Sequence, residues 1–164
     1  MGLPDWAQVS ASRRAHVDRV AALLGGWADA MGVSAGERAR WLSAAYLHDA
    51  LRDAPLEDSR AHGPAAADRA ALHGETDRGV LEAVRYHTLG HAGWDDVGRM
   101  LYLADHLEPG RDLGPEARRL AERVPLERDA VLHEVARRRL EWTLRSGWTL
   151  APETVAFWNA LVSR

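Results

Sequence analysis

Cysteine, lysine and long apolar runs are absent from this sequence. No cysteine is present, which excludes disulfide bonds, thiolate metal ligands and iron–sulfur clusters. No lysine is present either, so all 21 basic residues are arginine, which we interpret as a coding bias of the source genome. No run approaches the roughly 18 apolar residues that a membrane span needs, and residues 1–6 lack the features of a secretory signal. We therefore expect a soluble, cytoplasmic protein without a membrane partner.

Length and charge narrow the class of protein further. The chain has 164 residues, which favours one domain over residues 1–164. A domain of this size buries enough surface to fold without a disulfide bond or a structural metal ion. A metal ion in this protein is therefore expected to serve catalysis. The net charge is -3 and the isoelectric point is about 6.2, so we expect no nucleic-acid partner.

Apolar residues recur at intervals of three and four, the spacing of a helix that buries one face. Because no alternating strand pattern occurs, the sequence predicts an all-α protein. We expect a core over about residues 14–111, followed by C-terminal helices over about residues 115–163. The predicted helices cover residues 12–31, 35–52, 65–72, 77–86, 95–107, 115–123, 126–146 and a last segment after Pro152, with a surface loop over residues 54–64.

Six side chains that can bind metal ions recur along the predicted helices. They are four histidines and two aspartates: His16, His48, Asp49, His73, His87 and Asp105. Imidazole and carboxylate groups suit Fe(II), Mn(II) or Zn(II), and six of them can hold two ions if one carboxylate bridges. Any one of these residues alone is more often a core or capping residue. Several lie on apolar helix faces, where unpaired polar groups are costly, so the joint pattern indicates a metal site.

Two further histidines are not predicted to be metal ligands. His62 lies in the predicted loop, and His133 lies on a predicted helix between Leu132 and Glu134. We expect both to be solvent-facing or structural.

The order of the six side chains resembles a known pattern. His16, then His48-Asp49, then Asp105 is similar to the signature of the HD phosphohydrolase superfamily, which is all-helical and metal-dependent. More narrowly, three segments resemble the YqeK-type branch, the symmetrical bis(5'-nucleosyl)-tetraphosphatases. These segments are Leu72-His73-Gly74, His87-Thr88-Leu89-Gly90 and the run from Ala104 to Arg111, and the whole resemblance extends from about Arg14 to Leu161.

The resemblance implies a fold, a reaction and a set of metal ligands. It implies the HD-domain helical fold and the hydrolysis of diadenosine tetraphosphate to two ADP by a metal-bound hydroxide. The implied ligands of one ion are His16, His48, Asp49 and Asp105, and those of a second ion are His73 and His87, with Asp49 bridging. The expected cofactor is thus two divalent ions, with iron first and manganese, cobalt, nickel or zinc as alternatives.

The resemblance also implies residues around the ions. Those expected in catalysis are Asp49, Arg52 and Asp53, and those expected to bind substrate are Arg52, Thr88, Gly90 and Arg111. An arginine fork can grip phosphate oxygens, and a glycine lets the backbone approach a ligand closely. Arg52 replaces the lysine that is typical of the family. Glu108 is a candidate hydrogen-bond partner for a ligating histidine.

Three functions are compatible with this set of residues. The favoured one is a dinucleoside tetraphosphate hydrolase. A second is an HD phosphohydrolase of another nucleotide, either a monophosphate, a deoxynucleoside triphosphate or a cyclic dinucleotide, because fold does not determine substrate. A third is a metal-stabilised binding module without turnover. The sequence leaves the base preference, the roles of His91 and Trp94, and the choice between monomer and homodimer open.

Overall fold

The structure is a computed structural model that describes residues 1–163; Arg164, the last residue of the predicted domain, lies outside them. Residues 1–163 contain no strand, so the all-α prediction is confirmed. The helices are α1 (Ala11–Met31), α2 (Ala35–Leu47), α3 (His62–Leu72), α4 (Arg78–Tyr86), α5 (Asp96–Leu107), α6 (Gly114–Arg145) and α7 (Pro152–Val162), with short 3-10 helices at Ser59–Ala61 and Pro109–Arg111.

Helix α5 lies at the centre of the fold. It packs against α1, α2, α4 and α6, while α3 packs mainly on α4, and α7 on α6. The middle of α5 is apolar on every side, and the fully buried Met100, Leu101 and Leu103 lie there. A helix that is apolar all round is expected to lie inside a protein. Near its last turn α5 carries the carboxylate of Asp105 into this interior.

The ends of the first two helices follow signals that are visible in the sequence. Gly32 ends α1 in the left-handed conformation, with φ +62°, which glycine adopts without steric cost. The hydroxyl of Ser34 accepts a hydrogen bond from the Glu37 backbone N–H at 3.1 Å and so caps α2. None of the helices within residues 1–163 is long and apolar enough to cross a bilayer.

Two predicted boundaries are wrong. Helix α2 ends at Leu47 rather than near Arg52, and turns follow it. Helix α3 begins at His62, inside the predicted loop, because proline is tolerated in the first turn of a helix and Pro64 does not delay its start. The break predicted near Pro125 is confirmed: α6 consists of two helical stretches separated by a kink, where Glu127 departs from helical angles at φ -134° and ψ 36°.

Candidate metal centre

Five helices bring polar side chains to one place in the interior. His16 lies in α1, Asp105 in α5 and His62 at the start of α3, while His48 and His87 directly follow the last residues of α2 and α4. Helix ends leave backbone groups free and let the chain turn, so residues at these ends can point into a shared space.

The first group of potential ligands consists of His16, His48 and Asp105, and one ligand atom from each lies within 4.8 Å of the others. The Oδ1 atom of Asp105 is 3.1 Å from His16 Nε2 and 3.9 Å from His48 Nε2. His48 is fully buried and His16 nearly so. Two imidazole nitrogens and one carboxylate oxygen therefore face one point in a space that excludes most water.

The second group consists of Asp49, His62 and His87, which meet the same distance criterion. Asp49 Oδ1 is 3.1 Å from His62 Nε2 and 3.5 Å from His87 Nε2, and these two nitrogens are 3.1 Å apart. All three residues are buried.

Asp49 lies between the two groups. Its Oδ1 faces His62 and His87, whereas its Oδ2 lies 3.6 Å from both His16 Nε2 and His48 Nε2. One carboxylate thus presents one oxygen to each group. This is the arrangement that a carboxylate bridging two ions requires.

The hydrogen bonds of the four imidazoles fix which nitrogen faces the centre. The Nδ1 atoms of His48, His62 and His87 lie 2.7, 2.6 and 2.7 Å from the carbonyl oxygens of the residues three positions earlier. His16 Nδ1 lies 3.0 Å from the Glu108 carboxylate. Carbonyl oxygens and an ionised carboxylate only accept, so each of these Nδ1 atoms donates its proton and each Nε2 presents a lone pair inward.

No hydrogen-bond donor of the protein is directed at these lone pairs. The Nε2 atoms of His16 and His48 are buried and have no hydrogen-bond partner within residues 1–163, and buried polar atoms without a partner are rare. In the second group, the Nε2 lone pairs of His62 and His87 and an oxygen of Asp49 face one another. A cation in each group would satisfy these acceptors, so the residues present fit two divalent metal ions.

The electrostatics of His48 and of the two aspartates agree with this fit. Burial lowers the pKa of His48 to about 4, so its imidazole is neutral at neutral pH and free to bind a metal ion. Burial alone would raise the pKa of Asp49 and Asp105. The surrounding imidazoles at Asp49, and the adjacent His16 imidazole and Arg111 charge at Asp105, outweigh it and hold both pKa values well below the usual range. Both carboxylates are therefore ionised.

Glu108 supports the first group from behind, as the sequence indicated. Its buried carboxylate accepts hydrogen bonds from the Nδ1–H of His16 at 3.0 Å, the Nε–H of Arg19 at 2.6 Å and the backbone N–H of Gly110 at 2.7 Å. A carboxylate behind a histidine sets the tautomer and the ring orientation of that histidine. The two other donors hold Glu108 itself in place.

Two arginines lie beside the carboxylates of the centre. Arg13 Nη1 donates to Asp49 Oδ2 at 2.8 Å, and Arg111 Nη2 donates to Asp105 Oδ1 at 2.5 Å. Both guanidinium groups keep some contact with solvent. Arg111 was singled out in the sequence as a phosphate-binding residue, whereas Arg13, three residues before His16, was missed.

The structure does not bring His73 to the centre. His73 is exposed at the C-terminal end of α3, and its ring lies 5.8 Å from that of Trp6. Gly74, in the left-handed conformation at φ +97°, ends the helix there. The His73-Gly74 pair is thus a helix stop, and the expected pairing of His73 with His87 does not form.

His62 occupies the place expected of His73, and the prediction that His62 faces solvent or lies in a loop is wrong. The neighbour that makes this possible is Gly63. A Cβ atom at Gly63 would lie 3.0 Å from the carbonyl oxygens of Val84 and Arg85 and 3.2 Å from the His87 ring. The start of α3 can therefore approach the end of α4 closely. The sequence signal was a histidine and a glycine followed by small residues, which permits such an approach.

Two predicted catalytic residues beside Asp49 lie in different surroundings. The Arg52 side chain makes no hydrogen bond or ion pair with the described part of the chain, and it is partly exposed. Asp53 is exposed, and its Oδ2 accepts the backbone N–H of Ser10 at 2.7 Å. Asp53 therefore anchors the residue that caps α1, and this contact does not support its expected role in catalysis.

The predicted substrate residues after His87 also differ from one another. Thr88 lines a cavity of about 620 Å³ and its carbonyl accepts a hydrogen bond from Arg139. Gly90 is buried at φ +87°, and a Cβ atom there would lie 2.3 Å from the Phe157 ring. Packing against α7 therefore requires glycine at position 90. Trp94 is likewise a core residue, whose indole N–H donates to the Glu82 carbonyl.

Comparisons with known proteins agree with this geometry. The HD domain family model matches residues 13–110, the segment that contains the whole centre. Two proteins named symmetrical bis(5'-nucleosyl)-tetraphosphatase are similar to the chain. One, from Bacillus subtilis, is 30% identical over 92 residues, which are 55% of this chain and 48% of the relative. Another, from Staphylococcus aureus, is 28% identical over 96 residues, which are 57% of this chain and 50% of the relative.

The aligned segment spans about half the length of these relatives. A solved structure resembles almost the whole chain: the Clostridium acetobutylicum protein described as a predicted HD superfamily hydrolase involved in NAD metabolism. It superposes with a TM-score of 0.81 over 95% of this chain and 92% of that one, at 20% identity, which shows a shared fold. The family match covers more than half of the chain and contains every residue of both ligand groups. The chain therefore belongs to the HD domain family.

Proposed function

We propose that this protein is a metal-dependent phosphohydrolase that cleaves dinucleoside tetraphosphates symmetrically, diadenosine tetraphosphate giving two ADP. The observation that carries the proposal is the pair of ligand groups that share Asp49, with imidazole lone pairs left without a protein donor. The family match and the names of the similar bacterial phosphatases support the same reaction class.

The residues of the centre define where two ions would bind. His16, His48 and Asp105 would hold one ion, and His62 and His87 the other, with one oxygen of Asp49 on each. Two divalent ions so placed lower the pKa of a water between them and neutralise charge on the attacking and leaving oxygens of a phosphoryl transfer. Iron is our first expectation, and manganese, cobalt, nickel and zinc accept the same ligands.

The arginines of the centre would bind the phosphate chain. Arg13 and Arg111 already lie against Asp49 and Asp105 and retain donors that are open to solvent. Because the Arg52 guanidinium makes no hydrogen bond within residues 1–163, it is free to reach an anion. A planar guanidinium can grip two phosphate oxygens at once. These cations recognise phosphate and not a base, so they favour binding of the substrate by the middle of its phosphate chain.

Binding of the substrate by its central phosphates determines which bond is hydrolysed. The oxygen of water forms a bond to one of the two central phosphorus atoms. The bond from that phosphorus to the oxygen between the central phosphates breaks, and this oxygen leaves with the other half of the molecule. Both halves are then nucleoside diphosphates, and only one of them carries the oxygen that came from water.

An anaerobic hydrolysis screen tests this proposal. The purified chain is loaded with Fe(II), Mn(II) or Co(II) and incubated with diadenosine tetraphosphate in oxygen-18 water. We expect ADP as the only nucleotide product, with one labelled terminal phosphate for every two ADP molecules. AMP and ATP as major products would reject symmetrical cleavage, and hydrolysis confined to a mononucleotide or cyclic dinucleotide would reject the proposed substrate.

A further inference from the structure

The large cavity beside Thr88 is not used by the proposed metal centre. It measures about 620 Å³, within the range of roughly 300–1,000 Å³ that is common for small-molecule sites. Three tryptophans line it: Trp142 at the end of α6, Trp148 in the loop between α6 and α7, and Trp158 in α7. We call it the tryptophan pocket.

The inner wall of the tryptophan pocket is continuous with the second ligand group. Thr88 and Leu89, which line the pocket, directly follow His87 in the chain. Ser59 lines it from the other side, and the Ser59 carbonyl is the acceptor that orients His62. A molecule in the pocket therefore lies next to the residues that hold the second group in place.

The chemistry of the pocket changes from this inner wall to the outer rim. Near the inner wall Arg139 donates to the Thr88 carbonyl at 3.0 Å, and its guanidinium lies 5.5 Å from the centre of the Tyr102 ring. At the outer rim the rings of Trp142 and Trp148 meet edge to face, with centroids 4.9 Å apart. A cation at one end and flat aromatic surfaces at the other match a ligand with an anionic end and a flat ring.

The rim tryptophans are exposed but held in position. Trp142 is 55% exposed and Trp148 is 61% exposed, which is unusual for such large apolar groups. Gly147, at φ +69°, closes α6 with its N–H bonded to the Leu144 carbonyl, and the Trp148 N–H bonds the Thr143 carbonyl. This glycine-terminated helix end fixes the backbone of Trp148. An exposed aromatic surface on a fixed backbone is typical of a binding site.

We infer that the tryptophan pocket binds the nucleobase of one substrate half, by stacking against the exposed ring faces of Trp142 and Trp148. The inference rests on the proposed function, which places a phosphate chain at the metal centre with a nucleoside at each end. Every base has a flat π face, so stacking on indole rings holds bases with little regard to sequence. The pocket would then add affinity for nucleosides to a centre that recognises phosphates.

Binding measurements on three variants test this inference. Trp148→Ala removes one stacking surface, Trp148→Phe restores a smaller one, and Leu144→Ala is the control. Leu144 lies in α6, four residues before Trp148, is 58% exposed and does not line the pocket. With the metal-loaded protein in titration calorimetry, we expect Trp148→Ala to weaken ADP binding about tenfold or more. We expect Trp148→Phe to recover part of this loss, Leu144→Ala to match the wild type, and pyrophosphate binding to be equal in all four proteins.

A spectroscopic measurement locates the base. The chain has seven tryptophans, so a nitrogen-15 spectrum of the zinc-loaded protein gives seven indole signals that single variants can assign. Adenosine added to it should shift the signals of Trp142 and Trp148 and leave that of Trp6 in place.

The outcomes separate this inference from the proposed function. Hydrolysis of diadenosine tetraphosphate with an unchanged KM in Trp148→Ala would overturn the pocket and leave the hydrolase intact. Absence of hydrolysis, with ADP binding still weakened in Trp148→Ala, would overturn the hydrolase and leave the pocket intact. ADP binding no tighter than pyrophosphate binding in the wild type would also overturn the pocket.

Discussion

The Nε2 atoms of His62 and His87 face each other at 3.1 Å, although both rings donate their Nδ1 protons to backbone carbonyls. Two lone pairs at this distance repel each other unless a proton or a cation lies between or beside them. The carboxylate of Asp49, 3.1 Å from His62, adds a negative charge to the same point. This contact is the strongest reason to place a metal ion in the second group.

Replacing His62 should therefore remove one ion. His62→Ala deletes one nitrogen of the second group, and we expect about one divalent ion per chain where the wild type binds about two. His73→Ala is the matched control, since His73 is exposed at the other end of the same helix. Anaerobic metal analysis after gel filtration measures the stoichiometry. Loss of the ion in His73→Ala with retention in His62→Ala would reverse this assignment.

Replacing Asp49 should affect both ions. Asp49→Ala removes one oxygen from each group, so we expect bound metal to fall below one ion per chain and hydrolysis to be abolished. Circular dichroism must show that the variant is folded. A folded Asp49→Ala protein that keeps two ions and full turnover would contradict the bridging role.

Glu108 should tune metal affinity without touching the substrate. Glu108→Ala frees the His16 ring to rotate, and we expect the affinity for the first ion to fall by about 10- to 100-fold. Arg19→Ala is the control, because it removes a donor to Glu108 but leaves the Glu108–His16 hydrogen bond. Competition with a chromophoric chelator measures the affinity. Equal affinities in the wild type and Glu108→Ala would exclude the positioning role.

Asp77 should stabilise the fold in a pH-dependent way. Its Oδ1 caps α4 by accepting the Val80 N–H at 3.0 Å, and Arg40 donates to both of its oxygens. Asp77→Ala should lower the free energy of unfolding by about 1 kcal/mol at pH 7. Asp68→Ala, which removes only an ion pair on the surface with Arg85, should cost less.

The pH dependence follows from the sign of the Asp77 pKa shift. The Arg40 hydrogen bonds lower the pKa of Asp77 below its ordinary value of 3.8. A lowered pKa in the folded state contributes stability above the ordinary pKa, and this contribution is lost as the pH falls through the folded value. Urea unfolding should thus show the full difference between wild type and Asp77→Ala at pH 7 and a smaller one below about pH 3.8. A difference that stays constant with pH would contradict the ion-pair contribution.

Gly90 should be far less tolerant of a side chain than Gly74. Both have positive φ, at +87° and +97°, so alanine strains the backbone at either position. Only at Gly90 would the new Cβ meet a ring, that of Phe157 at 2.3 Å, whereas at Gly74 nothing lies within 4 Å. We expect Gly90→Ala to cost about 1–3 kcal/mol more than Gly74→Ala. Thermal unfolding that shows equal losses would contradict this packing.

Helical periodicity and local capping residues were enough to predict the fold class and the start of one helix. The class of fold was predicted from the three-and-four spacing, and the start of α2 from Ser34. The end of α2 was missed because apolar residues continue past Leu47 into the turns that hold His48 and Asp49. The spacing of apolar residues does not distinguish a helix from the buried turns that follow it.

The local sequence pattern could not show which of His62 and His73 belongs to the second group. Both histidines precede a glycine, and they lie at opposite ends of α3. What separates them is the packing of the α3 start against the α4 end, a contact between segments that sequence periodicity does not encode. The tryptophan pocket was missed for the same reason, because its wall joins residues near His62 and His87 with the distant α6 and α7.

His48 and Asp49 are consecutive residues, yet His48 belongs to the first group and Asp49 is a member of the second. A single peptide unit therefore links the two groups. Any shift of the turn that moves His48 in the first group also moves Asp49 in the second. In the proposed two-ion centre, filling one group would draw this turn into place and prepare the other. We expect the ions to load cooperatively, so that half-loaded molecules are scarce at every metal concentration.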